Sequence, residues 1–599
     1  MKRKSKKKQV LVCCGTGCIA NGGLDVYQAF KNYPGELFEL FSSDDIKATG
    51  CHGLCSSGPF VRILPDDITY CQVKTGDVEE IIEKSIKGNE LIKRLLYRDP
   101  QSKKRVQNLE KVAFNNMQLK KALRNVGLIN PESLQDYLDQ QGYQALHKAL
   151  KMKPEAVVQE IIDAGLRGRG GGGFPTGLKW KACQATTSTR KYIVCNGDEG
   201  DPGAFMDESI MEGDPHTILE GMSICAYTVG ASKGFIYVRD EYAGSVTALT
   251  RAISDAREHG FLGENILGSG LNFDIEIVRG GGAFVCGEET ALLASIEGNV
   301  GEPWDKYVFP TEKGLWGQPT VINNVETWSN VPLILLEGAK KFASTGTAGS
   351  KGTKVFSLVG KVVNTGLVEV PMGTSLRDII FTIGGGVPGK RKFKAVQTGG
   401  PSGGCIPESL LDLKVDFDSL NEAGSMMGSG GMIVMDDRTC MVEVARYYLQ
   451  FLAGESCGKC VPCREGIRSL LEILERICNG EGCMEDLDLL EDIGETVRAA
   501  ALCALGRTAP NPVLSTIKYF RDEYLEHIIN HRCPAGVCKE LSEYYIDTEL
   551  CNGCGLCSRN CPVDAVQGEK KQPHVIDNSK CIKCGECINE CQFLAVKVR

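Results

Sequence analysis

CNGCGLCSRNCP, residues 551–562, and CIKCGECINEC, residues 581–591, place four cysteines at the same offsets twice, each time as C-x2-C-x2-C-x3-C. In this spacing three thiolates hold one face of a 4Fe-4S cube, and the fourth crosses to the neighbouring cluster. One cube is therefore assigned Cys551, Cys554, Cys557 and Cys591, and the other Cys581, Cys584, Cys587 and Cys561. Zinc ribbons do not ordinarily repeat three such steps before a Cys-Pro pair. The run defines a small two-cluster domain at 541–599.

Working toward the N-terminus, ESCGKCVPCREG, residues 455–466, offers three more closely spaced thiolates, Cys457, Cys460 and Cys463. A cube there needs a fourth ligand, for which Cys503 in LCALG is the best candidate; a three-cysteine zinc site is the alternative. Near the start, Cys13-x4-Cys18 and Cys51-x3-Cys55 form two separated pairs, with glycines between the ligands. That arrangement suits a 2Fe-2S rhomb with one pair per iron. Cys14 is the rival of Cys13. A looser group comprises Cys478, Cys483, His527, Cys533 and Cys538. Cys533, Cys538 and His527 make a Cys3His zinc site if Cys478 or Cys483 folds over them; otherwise they are unligated cysteines.

The chain has 599 residues, 28 cysteines and 70 glycines, an excess of glycine over the usual value of about 7%. The length implies several domains, and 42% hydrophobic residues suffice for several cores. A net charge of -8 argues against nucleic acid, and the lysines from Lys2 to Lys8 read as a solvated terminus. No apolar run approaches the roughly 18 residues of a membrane helix. Clustered, unpaired cysteines point to a reducing, cytoplasmic setting.

In the middle, a helix-start proline and apolar spacing from Pro154 to Leu166 lead straight into GRGGGGFPTGLKW, residues 168–180. Gly168, Gly170 and Gly173 satisfy GxGxxG literally. They follow a helix and meet Pro175, so an ordinary Rossmann fingerprint is rejected. Bare backbone at Gly170, Gly171, Gly172 and Gly173 can still approach a phosphate or a flat ring, with Arg169 and Lys179 as neutralising cations. Residues 191–195 read as a buried strand ending in NGDEGDPG, residues 196–203. Strand ends of this kind bind ligands in α/β sheets. Residues 275–278 lead into a second glycine loop and then a helix, a phosphate-binding pattern. Asn323 and Asn324 offer amides suited to a flavin's polar edge.

Taken together, these motifs resemble the flavin-bearing, NADH-oxidising subunit of respiratory complex I and its soluble hydrogenase and formate dehydrogenase relatives. With the terminal cluster modules, the whole chain resembles the beta subunits of NAD-dependent, electron-bifurcating FeFe-hydrogenases. The resemblance implies a multidomain α/β and α+β fold: a thioredoxin-like 2Fe-2S domain (1–100), a Rossmann-like FMN- and NAD(H)-binding domain (101–340), a β-grasp domain (341–435), a helical 4Fe-4S domain with a zinc site (436–540) and a double-cluster ferredoxin domain (541–599). It implies FMN, NAD(H), one 2Fe-2S cluster, three 4Fe-4S clusters and zinc on Cys478, His527, Cys533 and Cys538. Asn196, Asp198, Glu199, Gly287, Glu288, Glu289, Asn323 and Asn324 would surround flavin and nicotinamide. Phe174 and Phe309 would stack, and Asp201 stands where the family usually has Glu. Hydride exchange at FMN needs no general acid or base, so Glu288 and Glu289 would position or tune. The implied partners are a hydrogenase catalytic subunit, a small 2Fe-2S subunit and an external ferredoxin, in a hetero-oligomer. The alternatives are the equivalent subunit of a formate dehydrogenase or an NADP-reducing hydrogenase, or a flavin-free electron-transfer scaffold.

Overall fold

The computed structural model describes residues 8–33, 45–305 and 307–598. The lysines from Lys2 to Lys7 lie outside them, whereas Lys8 bonds the Ile86 carbonyl and Asn89. The chain divides into two compact units. The first is built from residues up to 390 with 396–400 and 408–434, and the second from 391–395, 401–407 and 435 onward.

The first unit begins with a four-stranded sheet of β1 (Gln9–Cys13), β2 (Ile46–Thr49), β3 (Val61–Leu64) and β4 (Ile68–Tyr70), in the order β2-β1-β3-β4. β1 runs parallel to β2 and antiparallel to β3. Val10, Val12, Val61 and Ile63 are buried with Val26 and Phe30 of helix α1 (Gly23–Lys31). Val10 and Val12 on one face of β1, Val61 and Ile63 on the same face of β3, and the helical spacing of Val26 and Phe30 let sheet and helix share one core.

Next come α2 (Pro154–Ala164) and α3 (Thr176–Ala185), flanking the glycine loop. α2 starts on a proline and stops where Gly165 turns left-handed, at φ 66°. A fully parallel sheet follows, made of β5 (Tyr192–Gly197), β6 (Lys233–Arg239), β7 (Asp274–Gly280) and β8 (Thr320–Asn324). Its order is β8-β5-β6-β7. Between strands lie α4 (Met206–Gly213), α5 (Pro215–Val229), α6 (Ala243–Glu258) and α7 (Glu289–Ile296), and α8 (Val325–Glu337) follows β8. α5 is buried along nearly its whole length, its polar His216, Thr217 and Glu220 included. Beyond α8, β9 (Thr353–Gly360) pairs antiparallel with β10 (Gly366–Pro371).

The second unit contains α9 (Met441–Glu455), α10 (Val461–Cys478), α11 (Glu485–Ala500) and α12 (Asn511–Ile529). Cys463, Ile467, Leu470, Leu474 and Ile477 make the buried stripe of α10 at three- and four-residue steps. The two-cluster region has two short helices, Leu556–Arg559 and Glu586–Glu590, and two short strand pairs. Its internal repeat extends to the backbone. Gly553 and Lys583, Gly555 and Gly585, and Asp564 and Leu594 are equivalent positions with positive φ.

Candidate functional site

In an open parallel sheet, ligands bind beyond the carboxyl ends of strands where the strand order reverses. Here the chain runs from β5 through β6 to β7 and then returns to β8 on the other side of β5, so the reversal lies between β5 and β8. Asn196 and Asn324 are register partners at those two ends. Asn196 Nδ2 donates to the Gly287 carbonyl at 2.9 Å, and its Oδ1 accepts the Asp198 N–H at 3.0 Å. Asn324 Oδ1 accepts the Glu326 and Thr327 N–H groups and caps α8, while its Nδ2 donates to Asp207 at 2.5 Å.

The glycine loop lies over this crevice. A Cβ on Gly170 would stand 3.0 Å from the Asn324 Cβ, whereas one on Gly172 would meet nothing within 4 Å. Gly171, at φ 123°, passes close to the backbone of Gly428, and Gly173, at φ 60°, packs on the Phe417 ring. The loop thus presents backbone with no side chain in the way, the property a flat ring or a phosphate requires. Phe174 and Phe309 are more than half exposed, so their rings can stack on a ligand.

Several side chains expected at the ligand are engaged elsewhere. Arg169 is wholly buried and donates to the carbonyls of Thr353, Arg167 and Lys351, at 3.1, 2.8 and 2.6 Å. It clamps the loop to β9 instead of facing a phosphate, and burial lowers its pKa to about 10. The buried Glu199 carboxylate accepts the N–H groups of Met206, Asp207 and Glu208, capping α4. Glu288 caps α7 through the Thr290 and Ala291 N–H groups. Asn323 points into the core, where its oxygen accepts from Trp180 Nε1 at 3.1 Å. The physical reason is common to all four: buried helix starts and buried indole or loop groups need partners, and these polar side chains are the nearest. Lys179 pairs with Glu289 at 2.6 Å and also donates to the Ile322 carbonyl. Asp198 pairs with Arg239 at 3.2 Å. Asp201 accepts from Ser429 and, through burial, has a pKa near 6.

Sequence reasoning passed over Asp207, Arg239 and the wholly buried Lys354–Glu326 pair. None sits in a glycine loop or shows a telling spacing, and only the fold joins them to the motifs. Glu326 also accepts the Val355 N–H at 3.0 Å, tying α8 to β9.

The N-terminal thiols converge. Cys13 is fully buried and hydrogen-bonded with Cys18 and Cys51, which holds its thiol well above the ordinary value. Cys51 and Cys55 stand 3.6 Å apart. Cys14 turns the other way, 3.9 Å from the Gly23 carbonyl, as the alternation of a strand end dictates. In the second unit, burial, followed by the neighbouring Cys460, Cys503 and Cys457 thiols, pushes Cys463 up to about 11, and Cys503 begins the short helix whose Gly506 packs on the Cys463 side chain. In the terminal region Cys551, Cys554, Cys557 and Cys591 line one cavity, and Cys561, Cys581, Cys584 and Cys587 line another.

The remaining ligand group differs from expectation. Cys440, His527, Cys533 and Cys538 are all buried, with ligand atoms within 4.8 Å of one another. His527 Nε2 is 3.4 Å from both Cys440 Sγ and Cys538 Sγ, and its Nδ1 lies 2.6 Å from the Glu523 carbonyl. That contact assigns the Nδ1 proton and leaves Nε2 for a metal. Cys440, not Cys478, completes the set. Cys440 begins α9, where its thiol faces α12, whereas Cys478 ends α10 with its thiol 3.8 Å from Glu443. Cys483 is exposed.

Comparison with known proteins shows the family. Residues 161–333 match the Nuo51 FMN-binding domain, 443–527 the iron-sulfur binding region of NADH-ubiquinone oxidoreductase-F, and 543–592 a 4Fe-4S dicluster domain. The HndC subunit of the NADP-reducing hydrogenase of Solidesulfovibrio fructosivorans is 54% identical over 457 residues, covering 76% of this chain and 93% of that protein. An NADH-quinone oxidoreductase subunit of Rhizobium meliloti is 46% identical over 413 residues, covering 69% and 98%. This chain belongs to the family of FMN-binding NADH-oxidoreductase subunits. A solved structure of similar fold, an NAD+-reducing NiFe-hydrogenase in the H2-reduced state, superposes with a TM-score of 0.61 at 29% identity, covering 87% of this chain and 84% of that one. As a member of this family, the chain is an oxidoreductase subunit with an FMN-binding domain and iron-sulfur domains. Among the described residues no helix is long and apolar enough to cross a membrane.

Proposed function

We propose that the protein is the NAD(H):acceptor subunit of an electron-bifurcating FeFe-hydrogenase complex, passing electrons between a nicotinamide dinucleotide, a hydrogenase catalytic subunit, a small 2Fe-2S subunit and an external ferredoxin. The observation that carries the nucleotide site is the crevice at the strand-order reversal, floored by Asn196 and Asn324 and roofed by side-chain-free backbone at 170–172. Bound there, FMN would supply hydride exchange with the nicotinamide and release of single electrons. The chain's own residues orient the ligand. Asn196 fixes the Gly287 loop, Asn324 fixes the start of α8, and Lys179 holds Glu289 at the rim. No side chain here needs to move a proton.

Cys13, Cys18, Cys51 and Cys55 would hold a 2Fe-2S cluster, and Cys457, Cys460, Cys463 and Cys503 a cube. The two cysteine-lined cavities of the terminal region would each take a further cube. The donor set of Cys440, His527, Cys533 and Cys538 fits a closed structural zinc.

The deciding experiment is anaerobic purification with assay of flavin, iron and zinc, followed by anaerobic bleaching of the flavin and cluster absorbance with NADH or NADPH. One FMN, about fourteen irons and bleaching by NADH support the proposal, whereas full iron with no flavin uptake or nucleotide response refutes the nucleotide site. Preferential bleaching by NADPH would instead favour the activity named for HndC, which is the second reading. Hydrogen-dependent reduction of both ferredoxin and NAD+ after reconstitution with a hydrogenase subunit tests bifurcation.

A further inference from the structure

Within the first unit, on the flank of the Cys51 loop, a cavity of about 80 Å³ is lined by His52, Arg62, Asn115, Lys120 and Arg124, with Glu110 at one side. A single water needs about 10–15 Å³ by this measure, so the cavity has room for roughly five, comparable to one tetrahedral oxyanion with a water.

The three cations on its wall are not equally partnered. Arg62 is held by Asp67, at 2.8 and 2.7 Å, with Glu110 at 3.5 Å. Arg124 donates to the Lys121 and Ser329 carbonyls at 3.0 Å and to Thr217 at 2.6 Å. Lys120 is only partly exposed and has no hydrogen-bond or ion-pair partner among the described residues. Burial pulls its ammonium below the ordinary lysine value, opposed by the charges of Glu110, Cys51 and Glu369. Asn115 Oδ1, also on the cavity wall, is buried without a partner among the described residues, while its Nδ2 is committed to the Leu109 carbonyl at 3.2 Å. Of the three cations on the wall, Arg62 is paired with carboxylates and Arg124 is bonded to carbonyls and Thr217, so Lys120 is the one left without a hydrogen-bond or ion-pair partner among the described residues, and an orphan acceptor stands beside it. A hydrogen phosphate answers both, with acceptor oxygens for the ammonium and one O–H for Asn115.

We propose that this cavity is a binding site for a small protonated oxyanion of the phosphate class, held by Lys120 and placed beside the Cys51 loop. The anion could be free or the terminal group of a nucleotide; both present the same chemistry to Lys120. A negative charge bound here opposes reduction of a cluster on Cys51, so occupancy couples to that cluster's midpoint potential.

The test uses the intact, cluster-loaded chain. Calorimetric titration with inorganic phosphate at low ionic strength, with chloride as control, should show saturable binding. Lys120→Met should weaken it roughly ten- to hundredfold, and Lys120→Arg should largely restore it. In an EPR-monitored redox titration, phosphate should lower the 2Fe-2S midpoint of the wild type and leave that of Lys120→Met unmoved. AMP competing with phosphate identifies a nucleotide's phosphate as an occupant, and failure to compete identifies the free anion; each upholds the site. Absence of saturable phosphate binding overturns the proposal, as does binding unchanged in Lys120→Met. If Lys120→Met fails to fold, phosphate binding by the wild type and Lys120→Arg decides. The calorimetric arm does not depend on the 2Fe-2S reading; the potentiometric arm does, so their failures are distinguishable.

Discussion

Asn196 and Asn324 stand opposite one another on adjacent parallel strands, one amide holding the Gly287 loop and the other capping α8. The strand order reverses between them, and the glycine loop lies against this edge, a Cβ on Gly170 standing 3.0 Å from the Asn324 Cβ. The crevice is therefore a consequence of topology, and the asparagines tie its edges to the Gly287 loop and to Asp207.

Gly172 tests what occupies that gap. A Cβ there meets nothing in the protein, so Gly172→Ala should leave thermal stability unchanged. It should nonetheless weaken FMN binding by roughly tenfold or more, since a methyl would enter the ligand's space. Fluorescence titration of the flavin-free protein gives the affinity; an unchanged value would move the flavin away from residue 172.

The buried Lys354–Glu326 pair joins β9 to α8. Lys354→Met leaves the buried Glu326 carboxylate without its ion-pair partner, the Val355 N–H bond remaining. Removal of one partner from such a pair is expected to destabilise by roughly 3–5 kcal/mol, seen as a lower denaturant midpoint. The double replacement of both partners by apolar residues should recover much of the loss.

Glu208 and Glu212 both accept from Thr16, and burial, then Glu212, pushes Glu208 up to about 7. Burial raises Asp207 to about 7 and Asp214 to about 6. For an acid whose folded pKa is raised, the folded state holds the proton more tightly. The stabilisation is complete below about pH 4.5 and is lost as pH rises through about 7. Thermal midpoints measured by calorimetry should therefore fall between pH 5 and pH 8, and Glu208→Gln should shrink that fall. An equal or larger fall in the variant would remove Glu208 from the explanation.

The zinc assignment separates two cysteines that look equivalent in the sequence. Cys440→Ser should abolish or severely reduce bound zinc, whereas Cys478→Ser should retain about one equivalent. Metal analysis of the purified variants reads this directly, and the reverse pattern would restore Cys478 as the ligand.

The crossed cavities of the terminal region make a matching prediction. Cys591→Ser should perturb the cube of Cys551, Cys554 and Cys557, and Cys561→Ser the cube of Cys581, Cys584 and Cys587. Each should cost about four irons, or convert one cube's EPR signal while sparing the other's. Loss of the cube nearest in sequence would contradict the crossing.

Much of the site was legible because cluster ligands are local. Three thiolates with two residues between successive ones can face one cube only if the backbone turns tightly, so the spacing of Cys551, Cys554 and Cys557, and of Cys457, Cys460 and Cys463, points to a cluster without a structure. Glycines 170–173 are legible for the same reason, since bare backbone has few other uses beside an aromatic and a lysine. Position in the motif did not reveal direction. Arg169, Glu199 and Glu288 stand among the motif residues, yet each is consumed by a buried loop or helix start.

What the amino-acid sequence determined by itself is thus the set of short-range chemistries: which thiolates share a loop, where the chain must turn through glycine, and which strands are buried. Tertiary structure alone decided what depends on distant partners. Cys440 lies 87 residues from His527 and carries no motif of its own, and only the packing of α9 on α12 brings its thiol to the His527 ring. The crevice, likewise, exists because β8 returns to the far side of β5. Spacing constrains neighbours through covalent geometry, whereas burial forces every polar group to find a partner wherever the fold supplies one, and that choice is invisible until the chain has closed.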